Sequence, residues 1–213
     1  MKDYFKGGNT FFLFELIVLY YNRAMQKHTI LASQSPRRRE LLNLMGIPFT
    51  TVNPNVDEVI NPNLTLENAI EELAYIKALD VLNRHPEANI ISADTIVVCE
   101  NEVMGKPVNE EDAIRMLKQL SGKKHEVITG VCLLSSEKEI RFHTKTLVEF
   151  YEYNEEFVKA YVQSKVPLDK AGAYGIQDKG ALLVKGIEGD YYTVMGLPIG
   201  ELYRALKKFN QEG

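Results

Sequence analysis

Short apolar runs alternate along this chain with segments whose apolar residues recur every three or four positions, and most of those segments begin with a capping residue. That alternation predicts an α/β protein, with strands buried between helices. Ile30 to Ser33 reads as a buried strand, leading through Gln34 into Ser35-Pro36, where serine is the N-cap and proline takes the first helical position. The helix runs through RRRELLNLM and stops at Gly46. A second helix follows Thr65 and ends near Pro86. Ile90 to Val98 is a strand, and a turn at Glu100-Asn101 brings the chain back through Val103 and Met104. Asn109 caps EEDAIRMLKQL, which is acidic in its first turn as the helix dipole prefers, and Gly122 marks its end. Val127 to Leu134 and Ile140 to Tyr151 pattern as two strands around a charged turn. Helices from Asn154 to Ser164 and from Pro198 to Phe209 enclose a glycine-rich stretch.

The segment before the first strand is different in kind. TFFLFELIVLYY is the most apolar run in the chain and follows Lys2 and Lys6. Glu15 interrupts it, no small-residue cleavage site follows, and it falls short of the ~20 apolar residues that span a bilayer. The expectation is an extension over residues 1–24 that is not part of the fold, with Met25 as the true start and one domain over residues 25–213. An amphipathic anchor is the other reading of the same residues.

Composition narrows the function classes. A chain of 213 residues that is 45% hydrophobic can bury one substantial core, or two small lobes sharing one. With 29 acidic against 25 basic side chains, the net charge of -4 provides no general basic field for nucleic acid. Cys99 and Cys132 sit in apolar runs, which excludes a disulfide framework and points to a reducing cytoplasm. His28, His85, His125 and His143 are scattered without an H-x-x-x-H pair, so a zinc site built on histidine is excluded.

Several side chains break the local rules. Arg37-Arg38-Arg39 opposes the dipole at a helix start, at ~0.3 to 1 kcal/mol for each cation. With Ser33 and Ser35 beside free backbone N–H groups, the same turn would hold a phosphate, and arginine grips phosphate with a planar fork. A solvated basic face is the alternative. Asp94, inside IISADTIVV, is bulged out, paired, placed at a site, or a strand-end cap. Lys77 falls in the apolar stripe of Leu66, Ala69, Ile70 and Leu73, either snorkelling or facing a site. Lys106 follows a strand on a tight loop that lacks Walker spacing. Glu58 ends NPNVDE and is either an oxygen ligand for a hard metal ion or a solvated acid. Seven of the 14 glycines lie between Gly172 and Gly200 without G-x-G-x-x-G spacing, serving sheet-edge turns or a close backbone approach to a ligand.

The segments ILASQSPRRRELL, VDE, ELAYIKAL, ISADTIVV, GKP, LSGKKHEVITGV and DKAGAYGIQ followed by GDYYTVMGLPI occur in that order from Ile30 to Ile199. In these motifs the chain resembles the Maf family of nucleoside triphosphate pyrophosphatases, first named for septum-formation inhibition; the residues before Met25 depart from it. The resemblance implies an elongated mixed α/β sheet flanked by helices, two lobes with a central cleft, a relation to inosine triphosphate pyrophosphatases, and often a homodimer. It implies hydrolysis between the α and β phosphates with a divalent cation, Mg2+ or Mn2+, and dTTP and UTP preferred over CTP, ATP and GTP. Asp94 matches the proton acceptor. Ser33, Arg38, Glu58, Lys77 and Lys106 match residues lining the site, and Arg37, Thr95 and Gln177 match those governing substrate choice. Glu58 and Asp94 would hold the metal or orient water, with Asp94 open between base and ligand. One Gln177 amide could meet both O4 and N3–H of uracil or thymine if Arg37 and Thr95 restrained it. The alternatives are a nucleotide-binding regulator of cell division without turnover, and a nucleic-acid module, which the acidic charge and lack of an aromatic platform disfavour.

Overall fold

The computed structural model describes residues 28–211, so the extension over residues 1–24 and the start at Met25 lie outside the described residues. Strands β1 (Thr29–Ala32), β2 (Thr50–Thr51), β3 (Asn89–Cys99), β4 (Glu102–Met104), β5 (Lys124–Leu134), β6 (Glu139–Phe150) and β7 (Val184–Glu188) form one mixed sheet in the order β2-β1-β3-β5-β6-β7, with β4 also on β3. Helices α1 (Pro36–Leu44), α2 (Leu66–Arg84), α3 (Glu110–Leu120), α4 (Glu155–Gln163), α5 (Tyr191–Met195) and α6 (Ile199–Gln211) flank it. The predicted α/β architecture is therefore the one observed. Caps fall where the polar residues placed them: Thr65 accepts from the Asn68 N–H and Asn109 from the Asp112 N–H, each contributing about 1 kcal/mol. Among the described residues no helix is long and apolar enough to cross a membrane.

β3 organises the molecule. β5 lies antiparallel along one edge of it from Ile90 to Val98. The other edge is shared: β1 runs parallel to residues 89–92, and β4 pairs antiparallel with residues 97–99. Among the described residues, none pairs as a strand with residues 93–96 on that edge. The sheet is thus broken along one edge in the middle of β3, and backbone groups there face a cleft instead of a neighbour.

Alternation along the strands sorts the core by face. Leu31, Ile91 and Val131 pack under α1 and α6 against Leu41, Leu42 and Leu206. Farther along the same face, Val97, Val127 and Phe150 pack with Leu117 of α3 and Val158 of α4. Between these two apolar clusters the face is polar, carrying Thr95 and its cross-strand partner Thr129. On the opposite face α2 covers Ile90, Ile96 and Ile128. It approaches β5 so closely that a Cβ on Gly130 would lie 2.5 Å from the Ile70 carbonyl oxygen.

β2, β7, α5 and three 3-10 turns (Val166–Asp169, Ala171–Ala173, Lys179–Leu183) were not predicted from the pattern. β2 is two exposed residues, and β7 exposes four of its five, so neither carries the alternation that marks a half-buried strand. In the glycine-rich stretch β7 forms a sheet edge, and the turns before it are packed too tightly against the protein itself for side chains at Gly175 and Gly180.

Candidate active site

The break in β3 opens into a cleft of about 500 Å³. Side chains from both faces of the sheet reach it, because Asp94 and Thr95 are adjacent on β3 and point to opposite faces. Asp94 is mid-strand, so it is not a strand-end cap.

On the α2 side, Lys77 is buried and its Nζ lies 2.7 Å from Glu58 Oε1 and 3.1 Å from Asp94 Oδ1. The apolar stripe therefore carries this lysine to the break in the sheet rather than letting it snorkel to solvent. Lys106, on the loop after β4, reaches Glu58 Oε2 at 3.5 Å. Burial acts to raise the Glu58 carboxyl, but hydrogen bonds and charge from Lys77 and Lys106 outweigh it and hold it below the ordinary 4.5. Glu58 is therefore ionised at neutral pH. It belongs to the cleft and is not simply a solvated acid.

On the opposite face, the start of α1 is arranged as the sequence predicted. Ser35 N–H donates to Ser33 Oγ at 3.1 Å, and the Ser35 hydroxyl accepts from the Arg38 N–H at 3.4 Å. Arg38 donates through Nε to the Gly196 carbonyl at 2.8 Å, through one terminal nitrogen to Ser33 Oγ at 3.4 Å, and through the other to Thr95 Oγ1 at 3.1 Å. That second nitrogen is also 3.9 Å from Asp94 Oδ1. Gly196, at φ +101°, has no Cβ to crowd the Thr95 hydroxyl, which would stand 3.2 Å away. Burial lowers the Arg38 guanidinium from its ordinary value, with Asp94 opposing the shift. Arg37 crosses the cleft mouth to Asp169, donating to Oδ2 at 3.0 Å and to the carbonyl at 3.3 Å. Arg39, the third of the run, is exposed and is not among the residues of the cleft.

Gln177 is exposed on the cleft rim, and its Nε2 donates to Glu40 Oε2 at 3.3 Å. The restraint expected from Arg37 and Thr95 is not present: Arg37 is turned to Asp169, and Thr95 bonds Arg38 and Thr129. Glu40 holds the amide instead. No pattern along the chain signals this contact, because a single glutamate in an exposed helical turn stands out in no way.

Lys170 was also missed. It is buried, lines the cleft, and has its Nζ 2.6 Å from Asp169 Oδ1 and 3.6 Å from Asp178 Oδ2. Its signal was its place next to Ala171-Gly172-Ala173, a run of small residues at the start of the glycine-rich stretch. Tyr174, buried behind the same loop, shares a 2.9 Å hydrogen bond with His125 Nε2. Burial raises the Tyr174 phenol and keeps it protonated.

The cleft thus lines its wall with cations from α1, α2 and two loops, of which Arg38 and Lys77 face the carboxylate of Asp94, an arrangement suited to a polyanion with a proton to be taken near it. Among the described residues no three His, Cys, Asp or Glu side chains gather into a metal cage. Glu58 and Asp94 do flank a single cation, Lys77. Two carboxylates facing one positive centre fit the way Mg2+ is held, through one or two carboxylates with the remaining oxygens from phosphate and water.

Comparison with known proteins gives the family. Residues 28–209 match the family described as Maf-like protein. A Bacillus velezensis protein named dTTP/UTP pyrophosphatase is 48% identical over 186 residues, covering 87% of this chain and 98% of that protein. Two Bacillus cereus proteins of the same name are 49% and 50% identical over 184 residues, each covering 86% of this chain, and 91% and 96% of their own lengths.

Proposed function

The chain belongs to the Maf-like protein family, and from that premise we propose that it is a nucleoside triphosphate pyrophosphatase that prefers dTTP and UTP. The observation that carries this reading is the Glu58–Lys77–Asp94 array at the break in β3, in a chain whose relatives at about half identity are named for that activity.

Water attacks the α phosphorus, the bond from that phosphorus to the α,β-bridging oxygen breaks, and pyrophosphate leaves with that oxygen. Such a displacement offers little covalent work to a protein, so positioning and charge dominate. The ion pairs of Asp94 with Lys77 and Arg38 both go to Oδ1. Among the described residues, that leaves Oδ2 to accept the proton of the attacking water. Lys77, Arg38, Lys106 and Lys170 supply positive charge around the phosphates. A bound Mg2+ or Mn2+ would be held by Glu58 and Asp94 and would withdraw charge from the phosphate oxygens.

Substrate choice rests on the rim. Gln177, oriented by Glu40, can pair its amide with O4 and N3–H of uracil or thymine, and cytosine reverses that pattern. Leaving those groups unpaired costs about 1 to 3 kcal/mol. The reading extends to a homodimer acting in the cytoplasm and not on nucleic acid; the net charge of -4 supports the last point.

The test is kcat/KM for dTTP, UTP, CTP, ATP and GTP by pyrophosphate release, on wild type and on Gln177→Ala. Faster turnover of dTTP and UTP, narrowed by the substitution, is expected. CTP or a purine nucleotide turned over as fast as UTP rejects the preference. No release from any of the five returns the chain to a nucleotide-binding regulator.

A further inference from the structure

We propose that Thr129, on β5, is a positioning residue that fixes the direction of the Thr95 hydroxyl and, through it, the pose of Arg38. The inference rests on the pyrophosphatase reading above and concerns how that site is held.

Proton counting sets the direction. Thr129 Oγ1 lies 2.8 Å from the Thr193 carbonyl oxygen and 3.0 Å from Thr95 Oγ1. A carbonyl only accepts, so the one Thr129 proton goes to Thr193. Thr129 must then accept from Thr95, and Thr95, its proton committed, can only accept from Arg38 at 3.1 Å. The chain runs one way: Arg38 to Thr95 to Thr129 to the Thr193 carbonyl. A Thr95 hydroxyl held this way presents only a lone pair to the cleft and has no proton to offer a nucleobase oxygen.

The fold does not need this hydroxyl for its own sake. Thr193 O already accepts from the Gly196 N–H at 3.1 Å. Val127 and Val131 flank Thr129 on the same face of β5 and are buried in the two apolar clusters, so valine is the residue that packing alone would place there. Thr129 is fully buried, and a buried hydroxyl is unfavourable unless its bonds are made. Both of its bonds are made, and one of them ends at the site. Three of the five Arg38 N–H donors are bonded within the protein, one of them through this chain. The threonine belt between the two clusters is thereby tied to the guanidinium that faces Asp94.

Thr129→Val removes the acceptor with almost no change of shape, and Thr129→Ser keeps it. Thr129→Val is expected to lower kcat/KM for UTP about tenfold and to narrow the UTP-to-CTP ratio, because a released Thr95 can turn its proton toward either base. Thr129→Ser should stay within about threefold of wild type. The decisive comparison is Thr95→Val with Thr95→Val/Thr129→Val: if Thr129 acts only through Thr95, the double variant matches the Thr95 single. Should Thr129→Val not fold, as circular dichroism would reveal, Thr129→Cys takes its place in both comparisons. Losses that add, or a Thr129→Val enzyme with wild-type rate and selectivity, overturn the inference and leave the pyrophosphatase reading standing. A wild-type protein that releases no pyrophosphate from UTP overturns that reading and this inference with it.

Discussion

Lys77 brings its ammonium to 3.1 Å from Asp94 Oδ1 with only 4% of its side chain exposed. On a helical wheel Lys77 occupies an apolar stripe, where methionine would suit as well and stability would hold or rise. The ion pair changes that expectation. Lys77→Met leaves Asp94 with Arg38 at 3.9 Å as its nearest counter-charge, and uncovering a mostly buried carboxylate is destabilising. Lys77→Met is expected to lose about 1 to 3 kcal/mol in urea denaturation, and Lys77→Met/Asp94→Asn to recover most of it. A single variant as stable as wild type means that the two charges are not coupled. Turnover of UTP should fall at least ~10^2 in both variants.

Gly130 is the cross-strand partner of Asp94, and its missing side chain is what lets α2 settle on the sheet. A Cβ there would meet the Ile70 carbonyl at 2.5 Å and the Glu71 nitrogen at 2.8 Å, backbone atoms that cannot swing aside. Gly130→Ala is expected to lose about 1 to 3 kcal/mol by overpacking. It should also slow UTP hydrolysis in the variant that remains folded, since α2 carries Lys77. Full activity in a destabilised Gly130→Ala protein separates helix seating from the Lys77–Asp94 distance.

The Arg37 fork holds both an oxygen of the Asp169 side chain and the Asp169 carbonyl. Lysine keeps the charge but has no planar fork to present two parallel N–H groups from fixed positions. With the Asp169 side chain 56% exposed, Arg37→Lys should change stability by less than about 1 kcal/mol. kcat/KM for UTP should fall about tenfold or more through loss of a planar phosphate contact. An unchanged kcat/KM assigns Arg37 to bracing the cleft mouth alone.

His125 sets an acid limit. Burial keeps its imidazole neutral and pushes its pKa down to about 4, against about 6.5 in an unfolded chain. Between those values the unfolded state binds the extra proton, so stability is complete above pH ~6.5 and drains away as pH falls toward ~4, by about 3 kcal/mol in all. His125→Gln should have a flatter stability profile than wild type between pH 6.5 and 4.5, measured as Tm. Parallel profiles contradict the assignment.

Most of the fold was legible because its long elements carry strong periodicity or caps: β3, β5, α2 and α3 each begin and end within about three residues of the predicted positions. β2, β7 and α5 were not, being too short or too exposed to hold a pattern. The site residues were legible as violations, a cation against a dipole, a carboxylate in an apolar strand, a lysine in an apolar stripe, and the structure brings Arg38, Asp94 and Lys77 together. Residues that obey local rules were invisible. Thr129 is an ordinary β-branched residue in a strand, and Glu40 an ordinary exposed acid; each acquires its role only from what the fold sets beside it. Lys170 lay in the recognised glycine-rich motif, but its burial is a tertiary fact.

The central claim, that this cleft hydrolyses nucleoside triphosphates with Asp94 at the reacting end, is tested most directly by Asp94→Asn. The amide is nearly isosteric but cannot take the proton of water or hold a metal ion well. Pyrophosphate release from UTP with Mg2+ should fall by at least ~10^2, while UTP affinity measured by calorimetry stays within about tenfold and the variant remains folded. A folded Asp94→Asn protein that releases pyrophosphate at close to the wild-type rate contradicts the account.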